Sequence, residues 1–401
     1  GDWFRAGGYQ THYRGKWHVT HQDIRRPGDH KGLATTDRDG NRLREIEDLY
    51  RRIDPLDQFG FSGWIGREPH GAFPGDYGIT RDRVFTEHVH EMFDGLEAST
   101  DDRPWVAVAS FVNPHDIDLW GAPWEMLGMP KPPAGYMTVP EGPTDHDTLS
   151  DRPTAQQQWK DVYDKCFFPQ PCDDAYRSFY YWLHEVVDRE IEAVLHRLDA
   201  SPFADDTIVL FTSDHGDLLG SHGGLQQKWY NAYDETTRVP LMLTGPGIPA
   251  GRFSTPTSHL DLLPTLLGLT GIDQEEALAS LGESFTEAQQ LPGRDLSAPL
   301  AGSALPTDPV YFMTEDQMTE GLNQSNMLTG EAYEAVRQPA CVESLVATAG
   351  GDGHLWKLNQ YYERLADWEE DSGKPWPTGP LEGMLRPTTD PAEPEWELYD
   401  L

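Results

Sequence analysis

Two runs of apolar residues constrain the fold more than any other feature of this sequence. Residues 105–112 (WVAVASFV) and 207–213 (TIVLFTS) are almost continuously apolar. This pattern is typical of strands that are buried on both faces, as in a mostly parallel sheet covered by helices. Residues 9–15 and 239–245 carry shorter apolar or β-branched runs, and they predict two further strands.

Helices are predicted around these strands. Residues 173–201 place apolar side chains at helical spacing, and Asp173 or Asp174 can cap the first turn. Residues 258–272 predict a second helix, with Ser258 as its cap. A helix followed by a buried strand is typical of doubly wound α/β proteins. We therefore predict an α/β fold with a mostly parallel central sheet flanked by helices.

Other segments depart from this alternation of helix and strand. Residues 28–78 and 114–171 are rich in Gly, Pro and Asp, and we expect long irregular loops that form a pocket wall or lid. From about residue 307 onward, short strand-like runs are separated by Pro-, Gly- and Asp-rich connections. We predict an α/β domain at residues 1–306 and a small C-terminal antiparallel α+β subdomain at residues 307–401.

The charge of the chain limits its partners. Its 401 residues carry a net charge of −36, which argues against nucleic acid and anionic membranes as partners. No apolar run approaches the roughly 20 residues of a membrane-spanning helix. An anionic substrate would be repelled by the overall field, so local cations must attract it. The chain has only eight lysines, and two of them, Lys16 and Lys228, are of interest for this reason.

The three cysteines do not predict a disulfide framework or a metal site. Cys166 and Cys172 flank the sequence FFPQP, whereas Cys341 is distant. One disulfide between Cys166 and Cys172 is one interpretation, and two inert thiols are the other.

Three of the predicted strands end in residues that carry chemistry. Lys16 and His18 follow the first strand, His115 follows the second in NPHD, and Asp214 and His215 follow the third. In open parallel sheets, ligands bind beyond the carboxyl ends of the strands. We therefore expect these side chains to meet at one edge of the sheet.

Adjacent carboxylate and imidazole groups suit a divalent metal ion. Asp214 and His215 are therefore candidate metal ligands, although a purely structural turn is an equal alternative. Lys228 follows in QQKWY, where a solvated surface lysine would be the ordinary interpretation. His222 lies in the same loop, and a loop histidine outside the pocket is the more probable of its two interpretations.

Several ordered motifs resemble those of a known family. AGGYQTHYRGKWH resembles the AGY-x-T-x-x-x-GKWH element of the sulfatases, and SFVNPHD, TSDHGDLLGSHGG, KWYNAYDETTRVPLMLTGPG and HLDLLPTLLGLTGI resemble further sulfatase elements in the same order. LPGRDLSAPLAG and EWELYDL extend the likeness into the C-terminal region. The resemblance implies the alkaline-phosphatase-like α/β fold.

The resemblance also implies roles for the matching side chains. Lys16 and Lys228 would bind sulfate oxygens, and His18 would form a hydrogen bond to the nucleophile. His115 would bind sulfate and protonate the leaving group as a general acid. These roles suit sulfuryl transfer, which needs charge neutralisation, an activated nucleophile and a protonated leaving group.

The metal and the substrate class follow from the same resemblance. Asp214 and His215 would be two ligands of one divalent metal ion, Ca or Mn. The implied reaction is hydrolysis of a sulfate monoester, of a small molecule or a carbohydrate, by a formylglycine hydrate. Many arylsulfatases carry Asn at position 215, whereas His resembles phosphodiesterases and phosphonate monoester hydrolases. Hydrolysis of those esters is therefore the alternative function.

One element of the family is missing from the sequence. None of the cysteines lies in the C-x-P-S-R motif that is converted to formylglycine, and no S-x-P-S-R replaces it. We expect this motif and two further Asp ligands to precede residue 1, so that the chain is a fragment that does not turn over alone. A non-catalytic homologue is the remaining alternative.

Overall fold

The computed structural model describes residues 1–29, 31–69, 75–167, 169–304, 306–319, 324–326, 329–349, 353–363 and 392–401. Within them, the helices and strands are, in chain order, α1 Asp2–Ala6, β1 Gln10–Gly15, α2 Arg44–Ile53, α3 Gly78–Ala98, β2 Trp105–Ser110, α4 Ala122–Met126, α5 Thr154–Cys166, α6 Asp174–Asp199, β3 Val209–Thr212, α7 Ser221–Gly224, α8 Asp234–Thr237, β4 Leu241–Thr244, α9 Leu262–Leu269, α10 Gln274–Gly282, α11 Ser297–Leu300, β5 Val310–Thr314, β6 Cys341–Thr348, β7 Leu355–Tyr362 and β8 Glu395–Asp400.

The four strands predicted in the α/β region form two pairs. β1 and β2 are parallel, with Gly15 opposite Ser110 at their carboxyl ends. β3 and β4 are antiparallel, so the parallel arrangement holds for the first pair but not for the second. An apolar run shows that a strand is covered but does not encode the direction of its neighbour.

Helices α3 and α6 cover these strands. Val89 and Phe93 of α3 and Leu198 of α6 form a core cluster against Trp105 of β2 and Val209 of β3. The residues of β3 are partly rather than fully buried, which departs from the burial on both faces expected of an apolar run.

Helix α6 confirms the prediction for residues 173–201. It begins where the Asp173 carboxylate accepts a hydrogen bond from the Tyr176 amide at 2.9 Å. Helix α3 was not predicted, although it has 21 residues. Its buried face includes Arg81, Asp82 and His88, and these polar side chains interrupt the apolar stripe by which a helix is recognised.

The two segments predicted as irregular loops contain helices. Residues 28–78 include α2, which is held to α3 by ion pairs from Arg42 to Glu47 and Glu91. Residues 114–171 include α4 and α5. Charged contacts between elements distant in sequence stabilise α2, and a local pattern does not reveal them.

The C-terminal strands confirm the predicted antiparallel sheet, in the order β5-β6-β7-β8. Its inner face shares one core with the preceding region, because Val342 and Tyr361 pack with Trp159 and Tyr230. The Gln156 amide also donates to the Tyr361 hydroxyl at 2.7 Å. The boundary at residues 306 and 307 therefore stays a prediction.

Two further predictions concern the cysteines and membrane-spanning helices. Cys166 and Cys172 are both free thiols, so the interpretation as a disulfide was wrong. Among the described residues, no helix is long and apolar enough to span a lipid bilayer.

Candidate active site

The carboxyl end of β1 places Lys16 at the edge of the sheet. The Lys16 amide donates to the Ser110 carbonyl at 2.9 Å and continues the pairing with β2. Gly15 makes this approach possible: its φ is +108°, and a Cβ there would lie 1.8 Å from the Ser110 oxygen. The Lys16 side chain is partly buried.

Beyond Lys16 the backbone turns around a buried carboxylate. The Glu68 carboxylate accepts a hydrogen bond from the Trp17 amide at 3.0 Å and another from the His18 amide. His18 adopts a left-handed conformation with φ +47°, and its side chain is exposed. Burial raises the pKa of Glu68 to about 7, although these amides and the Lys16 ammonium lower it. Glu68 was not predicted from the sequence, because no motif around it indicates its contacts with the distant Trp17 and His18 amides.

The loop after β2 is fixed by two buried carboxylates. Asp82 of α3 accepts hydrogen bonds from the amides of Val112 and Asn113, at 2.6 and 3.0 Å. Asp116 accepts from the amides of Gly78 and Ile79 at the start of α3, both at 2.9 Å. His115 lies between these two anchors, so its backbone position is held by the buried helix.

The loop after β3 presents the candidate metal ligands. The Asp214 carboxylate accepts from the His215 amide at 2.9 Å, and its side chain is 78% exposed. The His215 Nδ1 lies 2.8 Å from the Gly216 carbonyl, which can only accept a hydrogen bond. Nδ1 therefore carries the proton, and Nε2 bears a lone pair, which accepts a hydrogen bond from the Lys228 ammonium at 2.5 Å.

Lys228 enters the same site from the following loop. Its ammonium lies 2.5 Å from the Nε2 of His215 and 5.5 Å from the centre of the Trp229 ring. The Asn231 side chain donates to the Lys228 carbonyl at 3.1 Å and holds this turn. Lys228 is thus partly buried beside His215, which does not fit the interpretation as a solvated surface lysine.

These side chains are close enough to affect one another electrostatically. Loss of solvent lowers the pKa of Lys16, and the carboxylates of Asp214 and Glu68 oppose this effect. Loss of solvent also lowers the pKa of His115, to about 3, and the ammonium groups of Lys16 and Lys228 add to that decrease. The strand ends therefore bring cations and imidazoles into one site, as the sequence indicated.

Asp118 is a second acidic residue, besides Glu68, that was not predicted from the sequence. Asp118 lies with its Oδ2 3.6 Å from the Nε2 of His115. Loss of solvent raises the pKa of Asp118 to about 7, with a further contribution from Asp217. The spacing HDID could have indicated Asp118, since residues three apart share a face in a short helical turn.

His222 contacts other side chains of the loop region. Its ring stacks on Tyr233, with 3.6 Å between ring centres, and its Nε2 lies 3.1 Å from the Glu235 carboxylate. These contacts agree with the interpretation as a loop histidine outside the pocket, which stays a prediction.

The structure shows two candidate ligands for a metal ion, Asp214 and His215. Among the residues that the structure describes, no three His, Cys, Asp or Glu side chains converge on a point where they could hold an ion. Asp214 and His215 nevertheless fit a metal. The Asp214 carboxylate is 78% exposed, and the nearby His215 lowers its pKa against the effect of desolvation. The Nδ1 contact of His215 with the Gly216 carbonyl leaves Nε2 as the nitrogen that can bind an ion. The two side chains form one side of a coordination sphere.

The fold is that of an α/β protein in which two lysines and three histidines lie close together beyond the strand ends. The family model described as Sulfatase matches residues 1–272. The chain belongs to the sulfatase family. Members of this family generally use a metal ion and a formylglycine residue.

Individual relatives agree with this assignment. The choline-sulfatase of Rhizobium meliloti (strain 1021) is 33% identical over 183 residues, which are 43% of this chain and 33% of that protein. The delta 4,5-hexuronate-2-O-sulfatase of Bacteroides thetaiotaomicron is 30% identical over 262 residues, which are 59% of this chain and 51% of that protein. The chain thus spans about half or less of the length of these curated relatives.

A solved structure shares the fold. The phosphonate monoester hydrolase of Silicibacter pomeroyi superposes with a TM-score of 0.51 and 19% sequence identity, over 88% of this chain and 70% of that one. This likeness confirms the alkaline-phosphatase-like α/β fold.

Proposed function

We propose that this chain supplies the sulfate-binding and proton-donating side of a hydrolase for sulfate monoesters. The observation that carries the proposal is the proximity of Lys16 and Lys228 to His115, beyond the ends of two strand pairs, in a chain whose net charge is −36. Such a chain has no general attraction for anions, so a local group of cations indicates a built oxyanion site.

The two lysines would bind the oxygens of the sulfuryl group. Their ammonium groups approach from separate loops, and both side chains are partly buried. Charge that develops on these oxygens in the transition state would meet cations that are already oriented and only weakly screened.

His115 would protonate the oxygen of the leaving group. Without an anion, loss of solvent and the ammonium groups of Lys16 and Lys228 hold its pKa near 3. A sulfate ester bound between these lysines would offset their charge and raise the pKa of the ring toward the working pH. We therefore expect binding and protonation to be coupled.

Asp214 and His215 would hold the divalent metal ion, Ca or Mn. When it is bound, the ion supplies Lewis-acid polarisation of the sulfuryl group. His18 would form a hydrogen bond to the nucleophile, which the family resemblance implies to be a formylglycine. The exposed ring of His18 and the left-handed turn that presents it suit this role.

Hydrolysis of phosphodiesters or phosphonate monoesters is the second candidate. His215 favours it, because a nitrogen ligand beside Asp214 suits transition metals better than a site built only of oxygen does. A non-catalytic sulfate-binding protein is the third.

A panel of substrates separates these candidates. We expect the active protein to hydrolyse 4-nitrophenyl sulfate faster than bis(4-nitrophenyl) phosphate and phenylphosphonate esters. Lys16→Met and Lys228→Met should each abolish most of that activity, whereas Lys131→Met, which removes an ammonium paired with Glu125, should not. A preference for the phosphodiester by orders of magnitude would reject the sulfatase proposal. Sulfate binding without any turnover would favour the non-catalytic homologue.

A further inference from the structure

The residues 115–119 form a 3-10 turn that defines the geometry of His115. This helix has three residues per turn, so side chains three positions apart lie one above the other. His115 and Asp118 are such a pair, and their Nε2 and Oδ2 atoms are 3.6 Å apart. The carboxyl group of Asp118 therefore faces the ring atom that a leaving group would approach.

The turn is braced on both sides. Gln170 donates from its side-chain amide to the Asp118 carbonyl at 2.7 Å. The Tyr163 hydroxyl in turn donates to the Gln170 side chain at 3.2 Å. At the other end, the His115 amide donates to the Val112 carbonyl at 3.1 Å. The spacing between the imidazole and the carboxyl group is thus held by the surrounding structure.

Asp118 differs from the other carboxylates of this region. Asp82 and Asp116 each accept two hydrogen bonds from backbone amides, which accounts for their burial. In the described part of the chain, the Asp118 carboxylate accepts no hydrogen bond, and its basic neighbour is the ring of His115, at 3.6 Å. Its side chain is 27% exposed, so it borders the open site. A carboxyl group with no structural partner beside a general acid suggests a role in the chemistry.

The charged groups around His115 and Asp118 affect which of these two side chains holds a proton. Lys16, Lys228, His18 and His215 all disfavour a proton on the ring of His115. The Asp118 carboxyl group, 3.6 Å from Nε2, favours that proton when it is ionised.

Asp118 experiences different neighbours. Loss of solvent and Asp217 favour its protonated form, Asp116 adds to this effect, and Lys228 and Lys16 oppose it. The carboxyl group therefore retains a proton under conditions in which the imidazole loses one.

We propose that Asp118 is a positioning residue that acts through His115, and that the two side chains hold in common the proton that the leaving group receives. This inference rests on the proposed function. An oxygen nucleophile forms a bond to sulfur and takes up the sulfuryl group as the ester S–O bond breaks. The electrons of the broken bond stay on the ester oxygen, and the proton of the pair passes from His115 Nε2 to that oxygen. The leaving group departs as a neutral alcohol, and the pair regains a proton from water.

The experiment compares leaving groups in wild-type protein and Asp118→Asn. On phenyl sulfate, whose leaving group needs a proton, we expect kcat/KM to fall by tenfold or more. On 4-nitrophenyl sulfate, whose leaving group is stable as an anion, we expect a change of less than threefold. The matched control is Asp188→Asn, an exposed position on α6 that makes the same change of charge. Equal losses on both substrates would overturn the inference.

A binding experiment decides the same question without turnover. The ring of His115 is titrated by nitrogen-15 NMR in the presence of inorganic sulfate. We expect a lower His115 pKa in Asp118→Asn than in wild type, because the variant cannot stabilise the imidazolium. An unchanged pKa in a folded variant would reject the pairing. Absence of sulfatase activity in wild-type protein that carries the formylglycine motif would reject the proposed function alone.

Discussion

Replacing Lys16 by methionine tests the oxyanion site most directly. The substitution keeps the length and apolar stem of the side chain and removes its charge. Lys16 continues from β1 with its amide bonded to Ser110, so the backbone contacts of the site are retained. We therefore expect a loss of sulfate affinity and of transition-state stabilisation without a loss of fold.

The size of the effect follows from the environment of the ammonium. Two unit charges 4 Å apart interact by about 4 kcal/mol at an effective dielectric constant of about 20. Lys16 is partly buried, so this medium describes it better than water does. Removal of one donor from an oxyanion site commonly costs about 2–4 kcal/mol. We expect kcat/KM for 4-nitrophenyl sulfate to fall roughly 30- to 700-fold, since about 1.4 kcal/mol corresponds to tenfold.

Two measurements check this prediction. Steady-state kinetics give the loss in kcat/KM, and isothermal titration calorimetry gives the affinity for inorganic sulfate. Lys131→Met is the control, because its ammonium is 46% exposed and pairs with Glu125. Raised ionic strength should weaken sulfate binding to wild type more than to Lys16→Met. Wild-type kinetics and affinity in Lys16→Met would refute the assignment of this lysine to the site.

Three further predictions concern the acid stability, the metal and the thiols. Burial alone would raise the pKa of Glu47, but its bonds to His88 and Arg42 lower it below the unfolded value. Its stabilisation is therefore present above about pH 4 and lost as the pH falls, and Glu47→Gln should lower the unfolding free energy at pH 7 by about 3–5 kcal/mol in urea titrations. Variants of His215 should bind Mn²⁺ about tenfold or more weakly in calorimetry, and unchanged affinity would remove it from the metal site. Burial raises the pKa of Cys166 to about 11, so iodoacetamide should modify it slowly at pH 7.5, which mass spectrometry of the native protein can check.

The ends of the strands were predictable because their signal is local. Apolar runs located β2 and β3. His115 and Asp214 lie in the loops that follow these two strands, so the strands fix their positions. A parallel pair aligns carboxyl ends on one edge, so Lys16 and His115 meet near the register of Gly15 and Ser110. Sequence order alone was sufficient for this part of the site.

The helices depended on different signals. Helix α6 has a capping carboxylate at Asp173 and a regular apolar stripe, and the sequence predicts both. Helix α3 buries Arg81, Asp82 and His88, whose partners lie far away in the chain, so its pattern looks too polar for a core helix. A buried charge is stable only beside its partner, and a single segment does not show that partner.

Sequence alone determined the fold class, the residue types at the strand ends and the family, because these properties depend on short runs and their order. Tertiary structure decided which residues complete the site. The Lys228 ammonium lies 2.5 Å from His215 Nε2, and the carboxyl group of Asp118 lies beside His115. The ring of His222 stacks on Tyr233 instead of joining these side chains. The physical reason is that electrostatic interactions depend on distance and solvent exclusion, which segments remote in sequence create only when they pack together.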